Sequence, residues 1–238
     1  MEIWHVVVIL VATSVGATVH ASVGLGIGLV AGPALVIVDP AFVPGPLILA
    51  TLALTLRHLI RDGRQADRGT VVRAFRGVPF GLGGGLVVAA STDDGTMRVV
   101  VGGAIVVAAA LLLLGVRISR TSRTDVIGGV AFSFSLITAA IPGPAAAVAF
   151  NDLDPSTYRG TMGFIGVPVG LLSMILLVMT DAFGRDELEL TGRMMPGILV
   201  GLTAAGWARP YLDRSWFRPA LLWLALLGGA AVVVRQLV

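Results

Sequence analysis

The chain is 238 residues long, 56% of them hydrophobic and only 13% charged, with a formal net charge of +3. A soluble domain carries roughly a quarter charged residues, so this composition excludes a water-soluble globule and predicts an all-α polytopic membrane protein. The absence of cysteine excludes a disulfide framework and a Cys-based metal site; no metal or other cofactor is predicted, and the lack of a basic stripe interleaved with aromatic residues argues against a nucleic-acid partner.

Basic and acidic loops orient the predicted membrane crossings. Arginines cluster at 57–76, 117–123 and 209–218, whereas acidic residues dominate 91–96 and 181–189. Because basic loops stay in the cytoplasm, the two acidic loops and both termini are predicted to be non-cytoplasmic. The crossings that satisfy this pattern are, in chain order, 42–60 inward, 70–90 outward, 97–116 inward, 158–180 outward, 189–207 inward and 216–236 outward.

Two remaining stretches, 3–38 and 124–151, must each begin and end on the same side of the membrane to preserve this charge pattern. Each is therefore predicted to be a broken-helix hairpin, interrupted by small residues at 22–28 in the first and at 141–144 in the second. The first stretch is too long for one span and has no Arg-rich start, so a cleaved signal peptide is not expected. The loops are too short to hold a separate catalytic or binding domain.

An internal repeat accompanies the two breaks. Two short motifs recur in the same order and at nearly the same offset: Asp39-Pro40 as Asp154-Pro155, and Arg76-x-x-Pro79 as Arg193-x-x-Pro196. The sequence thus predicts two homologous repeats, 1–118 and 119–238, each with a broken-helix hairpin plus three transmembrane helices. Because crossing 42–60 and its counterpart 158–180 run in opposite directions, the repeats are inverted, which is typical of secondary transporters with a binding site near the bilayer midplane.

Both breaks resemble those of a known family. The run Gly-Leu-Gly-Ile-Gly-Leu-Val-Ala-Gly-Pro at 24–33 resembles the Gly-Ile-Gly-Gly-Gly-x-x-x-x-Pro segment of the TauE/SafE sulfite exporter family, and 140–144 resembles its second-half Gly-Ile-Gly-Gly-Pro. Further family positions are matched by Thr51-Leu52, by His58 with Gly63, and by Pro79. Ile27 and Pro142 replace family glycines and Ala53 replaces a usual serine, differences that bear on the lining of a pocket more than on the fold.

The resemblance covers nearly the whole chain and implies export or uptake of sulfite, organosulfonates such as sulfoacetate, or related sulfur-bearing anions across the cytoplasmic membrane. The partners expected on this basis are a small sulfur-containing oxyanion and the lipid bilayer. Proton or ion coupling and a homodimeric assembly are left open.

The breaks themselves favour an anion. A helix that restarts inside the membrane presents free backbone N–H groups and the positive end of its dipole, and glycine lets a ligand approach that backbone closely. Gly24, Gly26 and Gly28 in the first break, with Gly143 and Pro144 in the second, are therefore predicted to bind substrate. Since no Lys occurs and no Arg is expected in the middle of a span, the site is expected to lack a buried cation.

Several polar side chains near the breaks complete the candidate site. The hydroxyl candidates are Ser14, Ser22, Ser133, Ser135 and Thr138, with Thr51 on an adjacent helix, although such hydroxyls often bond the preceding helical turn. His20 lies one turn before the first break and either exchanges a proton during transport or is a neutral imidazole bonded to a backbone carbonyl. Arg57 and His58 are weaker candidates, expected to snorkel to the cytoplasmic surface from the last turn of a span.

An intramembrane enzyme is the competing class. It would need a nucleophile beside a base, and neither Gly-x-Ser-x-Gly nor His-Glu-x-x-His occurs, so no catalytic residue is predicted. The predicted function is a secondary transporter that exports sulfite or small organosulfonates by alternating access around a midplane anion site. An anion channel and an exporter of another small carboxylate or organic anion remain alternatives.

Overall fold

The computed structural model describes residues 2–24, 26–116, 119–212 and 217–237. Within them the chain folds into ten α-helices joined by short turns, with no strand, as the sequence predicted. In chain order these are α1 (Ile3–Val23), α2 (Ile27–Val38), α3 (Gly45–Asp62), α4 (Arg68–Ser91), α5 (Asp94–Leu113), α6 (Ser122–Ala139), α7 (Gly143–Ala149), α8 (Pro155–Met179), α9 (Arg185–Leu212) and α10 (Phe217–Leu237), with 3-10 turns at Pro40–Phe42 and Gly63–Gln65.

The six predicted crossings coincide with α3, α4, α5, α8, α9 and α10 to within a few residues. Four segments of the described chain are long and apolar enough to cross a bilayer: Ile3–Val23, Pro40–Gln65, Arg68–Ser91 and Pro155–Met179. Large apolar side chains also face outward, among them Phe80, Met179 and Trp207, which are 74%, 75% and 86% exposed. Such a surface is unfavourable in water and suits lipid.

Arg117 and Arg214, which belong to the predicted basic loops 117–123 and 209–218, lie outside the described residues.

The first break separates α1 from α2 where the sequence predicted it. α1 ends at Gly24, whose φ of +94° is left-handed and whose N–H donates to the His20 carbonyl oxygen at 2.8 Å. Gly26, with φ of +131°, precedes α2. Both conformations favour glycine because a Cβ would clash with the backbone. The glycines of this segment therefore end one helix and let the next begin at a new angle.

The second break separates α6 from α7. α6 begins at a capping box, in which the Thr121 hydroxyl accepts from the Thr124 amide at 3.2 Å and the Thr124 hydroxyl accepts from the Thr121 amide at 2.7 Å. It ends at Ala140, which is left-handed with φ of +55°. α7 then starts at Gly143 with Pro144 in its first turn, where proline loses no hydrogen bond. α7 is only seven residues long, much shorter than α2.

Close helix pairs hold the bundle together. α4 packs along α6, α9 along α1, α3 against α8, and α5 against α10, while α2 lies on α1 and α7 on α6. Glycines allow the backbones to approach, as in many membrane bundles. A Cβ on Gly81 of α4 would collide with the Ser133 hydroxyl of α6, and one on Gly197 of α9 would collide with the Thr13 hydroxyl of α1. These contacts place the small-residue faces of α4 and α9 inside the bundle.

A partly buried ion pair joins α4 to α6. The Arg73 Nε lies 2.6 Å from Asp125 Oδ2, and the Asp125 side chain is only 1% exposed. An arginine bonded to a buried carboxylate fixes the relative position of two helices, although the net free energy of such a pair is small compared with the cost of removing one partner. In the first repeated Asp-Pro motif Asp39 accepts from the Ala41 amide at 2.9 Å, and in the second Asp154 caps the start of α8. Hydrogen bonds from Ser156 and Thr157 hold the pKa of the Asp154 carboxyl well below its usual range.

Candidate functional site

The two breaks meet in the interior of the bundle. Gly28, in the first turn of α2, lies so close to the end of α6 that a Cβ there would collide with the Ala140 carbonyl oxygen and lie 3.1 Å from Ile141 Cγ1. The segments that the sequence placed more than a hundred residues apart are therefore in van der Waals contact. Only glycine allows this approach without a shift of one backbone.

A cavity of about 30 Å³ lies where the breaks meet, between α1, α3 and α8. A water needs roughly 10–15 Å³ of such space, so the cavity has room for about two waters and is closed to a larger solute in this conformation. Eight residues predicted to bind substrate line it: His20, Gly24, Gly26, Gly28, Thr51, His58, Gly143 and Pro144.

The cavity lining is apolar apart from a few neutral polar side chains. His20, Thr51, Thr55, His58 and Tyr158 supply these groups, and among the described residues no carboxylate, lysine or arginine lines the cavity. The sequence analysis did not single out Thr55 and Tyr158. Thr55 lies one turn after Thr51, which a helical period would have indicated, whereas nothing in the sequence marks Tyr158.

Two imidazoles meet at one end of the cavity. The ring centroids of His20 and His58 are 5.6 Å apart in an edge-on arrangement. His20 is 6% exposed, and its Nδ1 has no hydrogen-bond partner among the described residues. A buried polar atom without a partner is unfavourable, so this nitrogen is available to a ligand or a water in the cavity.

Residues at the start of α2, whose backbone amides make no bond within the helix, line the same cavity. The first intrahelical bond of α2 runs from the Val30 amide to the Gly26 carbonyl oxygen at 2.8 Å, so the amides of Ile27, Gly28 and Leu29 precede the regular helix bonds. All three residues line the cavity. The dipole of the twelve-residue α2 places partial positive charge at this end.

Most of the predicted hydroxyls lie away from the cavity, at contacts between helices. Each donates to a carbonyl of the preceding turn: Ser22 to Thr18 at 2.8 Å, Ser133 to Gly129 at 2.7 Å, Ser135 to Ala131 at 2.6 Å and Thr138 to Phe134 at 2.7 Å. Ser14 is half-buried on α1, beside the approach of Gly201. Thr51 does line the cavity, and its hydroxyl donates to Leu47 at 2.8 Å. Local bonding of this kind is common for hydroxyls in apolar helices.

The expectation that Arg57 and His58 reach the surface is wrong for His58. His58 is 3% exposed and faces the cavity, because α8 and α9 cover the last turn of α3. Arg57 is half-buried, and its Nη1 donates to the Leu202 carbonyl oxygen of α9 at 2.9 Å.

One arginine is buried near the start of a span, whereas the sequence prediction concerned only the middle of a span. Arg159 of α8 is 8% exposed, and its Nε lies 2.7 Å from Asp62 Oδ2 at the end of α3. Arg159 is the only basic residue of α8, and Asp62 is the only acidic residue of α3. Both are therefore candidates for an ion pair. Nothing in the sequence shows that they pair with each other, since 97 positions separate them.

Comparison with protein families gives one match. The family model described as Sulfite exporter TauE/SafE matches residues 8–232, which is nearly the whole chain. No curated protein and no solved structure matches the chain.

Proposed function

The chain belongs to the sulfite exporter TauE/SafE family, and we propose that it exports sulfite or a small organosulfonate such as sulfoacetate across the cytoplasmic membrane as a secondary transporter. The family consists of exporter-type transporters of sulfur-bearing anions, and this chain is accordingly a multi-pass membrane protein. The observation that supports this proposed substrate and mechanism is the contact between Gly28 and Ala140, which brings two interrupted helices to one cavity.

The chemistry of this cavity suits an oxyanion. The amides at the start of α2 are donors, the dipole of α2 adds positive potential, and His20 offers an unpartnered ring nitrogen. A carboxylate, which would repel an anion, is absent from the lining among the described residues. The contribution of α7 is smaller than that of α2, because seven residues make a short dipole.

The expected affinity is moderate. A helix terminus contributes about 0.3–2 kcal/mol and each neutral hydrogen bond about 1 kcal/mol. After the cost of association, such a sum corresponds to micromolar-to-millimolar binding. Binding in this range suits a carrier, which must release its substrate after each cycle.

The helix packing supports two repeats, 1–118 and 119–238, and the loop charges indicate that they are inverted. Exchanging each helix for its counterpart in the other half converts the α4–α6 contact into the α9–α1 contact and leaves the α3–α8 and α5–α10 contacts unchanged. The first helix of each half also ends at a left-handed residue, Gly24 or Ala140. A pseudo-twofold axis through the central cavity accounts for both facts.

This arrangement supports alternating access. The cavity of about 30 Å³ is too small for an anion of four heavy atoms with its hydration, so the helices around it must separate to admit substrate. Rocking of one repeat against the other would open the cavity to one side at a time. The basic turn between α3 and α4 faces the cytoplasm in this account, and both termini are non-cytoplasmic.

One of the two alternatives retains specific support. The amides and His20 would also accept a carboxylate, so another small organic anion is a second candidate substrate. An anion channel is less consistent with a closed cavity of this size, since a pore needs a continuous water path. Proton coupling is consistent with the His20–His58 pair beside the anion site.

Counterflow in proteoliposomes tests the proposal. Vesicles loaded with unlabelled sulfite should transiently accumulate radiolabelled sulfite from outside, because a carrier exchanges substrate and a channel only equilibrates it. Sulfoacetate and taurine should compete better than acetate. Absence of flux above that of protein-free vesicles would exclude sulfite transport, flux without counterflow would indicate a channel, and equal competition by acetate would favour a carboxylate exporter.

A further inference from the structure

A second polar cavity of about 160 Å³ lies beside the central one, at the end of α3. Its polar lining consists of Arg57, His58, Arg61, Asp62 and Arg159, and we call it the basic vestibule. His58 lines both cavities. The vestibule has several times the volume of the central cavity, enough for a small oxyanion with some of its water.

The vestibule carries a net positive charge. Three arginines face one carboxylate, which gives a formal charge of +2 with His58 neutral. The Arg159 side chain is 10% exposed and that of Asp62 is 19% exposed, and the 2.7 Å ion pair between them holds the Arg159 guanidinium in place. Arg57 is anchored by its bond to Leu202. Guanidinium groups in fixed positions are well suited to bind oxyanions.

Only a thin wall separates the vestibule from the central cavity. Gly24 lines the central cavity, and a Cβ on it would lie 3.1 Å from Arg159 Cγ and 3.4 Å from His58 Cε1. The wall at this point is therefore the backbone of Gly24 and the ring of His58. A rotation of that ring, or a small shift of α1 against α8, would join the two cavities.

The opposite end of the α3–α8 contact is apolar. There Gly45, at the start of α3, lies against the Phe183 ring. A small anion would lose its hydration along this route without gaining a charged partner. Along α3, the charged approach to the central cavity is therefore the one at the Asp62 end.

We propose that the basic vestibule is a second anion-binding site, which loads sulfite or a small sulfonate into the central cavity. This inference rests on the proposed function. Asp62 positions Arg159 and also lowers the net charge, so that the anion is captured without being held too tightly to move on. Because the α3–α4 turn is the basic one, this end is the cytoplasmic end, and loading from it corresponds to export.

Equilibrium binding of radiolabelled sulfite to the purified full chain tests the inference. The wild-type protein should show two classes of site. Arg61→Gln should weaken one class about fourfold, the effect of a unit charge about 5 Å away at the dielectric constant of water. Asp62→Asn should strengthen the same class, because it removes a repelling charge and keeps an acceptor for Arg159. The opposite signs of these two changes distinguish anion binding from a general loss of structure.

Arg64→Gln is the matched control. Arg64 is also exposed and lies three residues from Arg61, but it does not line the vestibule, so its removal should leave both classes unchanged. His20→Leu should abolish the other class and leave the vestibule class intact. The vestibule proposal would be overturned if sulfite binding showed a single class of site that only His20→Leu removes. It would also be overturned if Arg61→Gln and Arg64→Gln had equal effects. In either case the proposed function would still stand. Retention of both classes in His20→Leu would overturn the central site instead.

Discussion

Gly28 of α2 lies against the carbonyl oxygen of Ala140 at the end of α6. Each residue belongs to a helix break in a different half of the chain, so this contact joins the two halves at the cavity where an anion is proposed to bind. Because the contact leaves no space for a Cβ, the geometry of the cavity depends on glycine at this position.

Gly28→Ala should therefore impair both stability and transport. The added methyl group must displace the Ala140 backbone, and overpacking of this kind costs about 1–3 kcal/mol. Thermal unfolding in detergent and sulfite counterflow measure the two effects. Gly83→Ala is the control, because Gly83 also lies in a helix but has nothing within 4 Å of the Cβ position. Alanine there should be neutral or stabilising by about 0.5–1 kcal/mol. Equal unfolding temperatures and equal counterflow in the two variants would show that the breaks do not need this contact.

His20→Leu should weaken sulfite binding while the protein stays as stable as the wild type. Leucine fills the space of a 6% exposed imidazole and removes the unpartnered Nδ1, which is unfavourable in the absence of a ligand. His5→Leu is the control, because His5 lies at the other end of α1, stacked on Trp4. Binding at the central cavity that survives in His20→Leu, or that falls equally in His5→Leu, would remove His20 from the site.

The hydroxyls should divide into two groups. Thr51→Val should weaken sulfite binding several-fold, because the Thr51 hydroxyl lines the cavity and can rotate from Leu47 towards a ligand. Ser135→Ala should change binding less than twofold, a limit of about 0.4 kcal/mol, because Ser135 bonds to Ala131 outside the cavity. Thermal shifts with sulfite measure both. A larger loss in Ser135→Ala than in Thr51→Val would contradict this assignment.

Removal of the buried carboxylate on α6 should destabilise the fold strongly. Asp125→Ala leaves the Arg73 side chain, which is 30% exposed, without its carboxylate partner, and a hydrogen bond between charged groups contributes about 1.5–3 kcal/mol. Glu189→Ala breaks the exposed pair with Arg193 and should cost at most about 0.5 kcal/mol. Thermal unfolding in detergent compares the two. Similar small shifts would mean that the Arg73–Asp125 pair does not fix α4 against α6.

The membrane orientation is testable because the chain has no cysteine. Single cysteines at Gln65 and Ser91, which are both exposed and flank α4, should react with a membrane-impermeant maleimide from opposite sides. Gln65→Cys should react from the cytoplasmic side and Ser91→Cys from the other. Labelling of both from one side would rule out the orientation of α4 and, with it, the inverted repeat.

The helix breaks could be predicted because their causes are local. Glycine and proline disrupt helices through their own backbone preferences, and the structure places left-handed residues at Gly24 and Ala140. The helix ends followed from the apolar runs and the loop charges for the same reason. These features depend on neighbouring residues along the chain.

The pairings inside the bundle could not be predicted from the sequence. Arg159 with Asp62 and Arg73 with Asp125 are contacts between distant segments, which depend on how the helices pack. The direction of each hydroxyl has the same dependence. Ser135 lies near a break in sequence but points away from the cavity, because the rotation of α6 about its axis is set by its contact with α4.

The central claim is that a small oxyanion binds between the two helix breaks. Selenite is a pyramidal analogue of sulfite, and anomalous diffraction at the selenium edge from crystals soaked in selenite would locate it directly. The account predicts an anomalous peak in the central cavity, within hydrogen-bond distance of the Ile27 and Gly28 amides and beside His20. Selenite bound elsewhere, with no peak in that cavity, would contradict it.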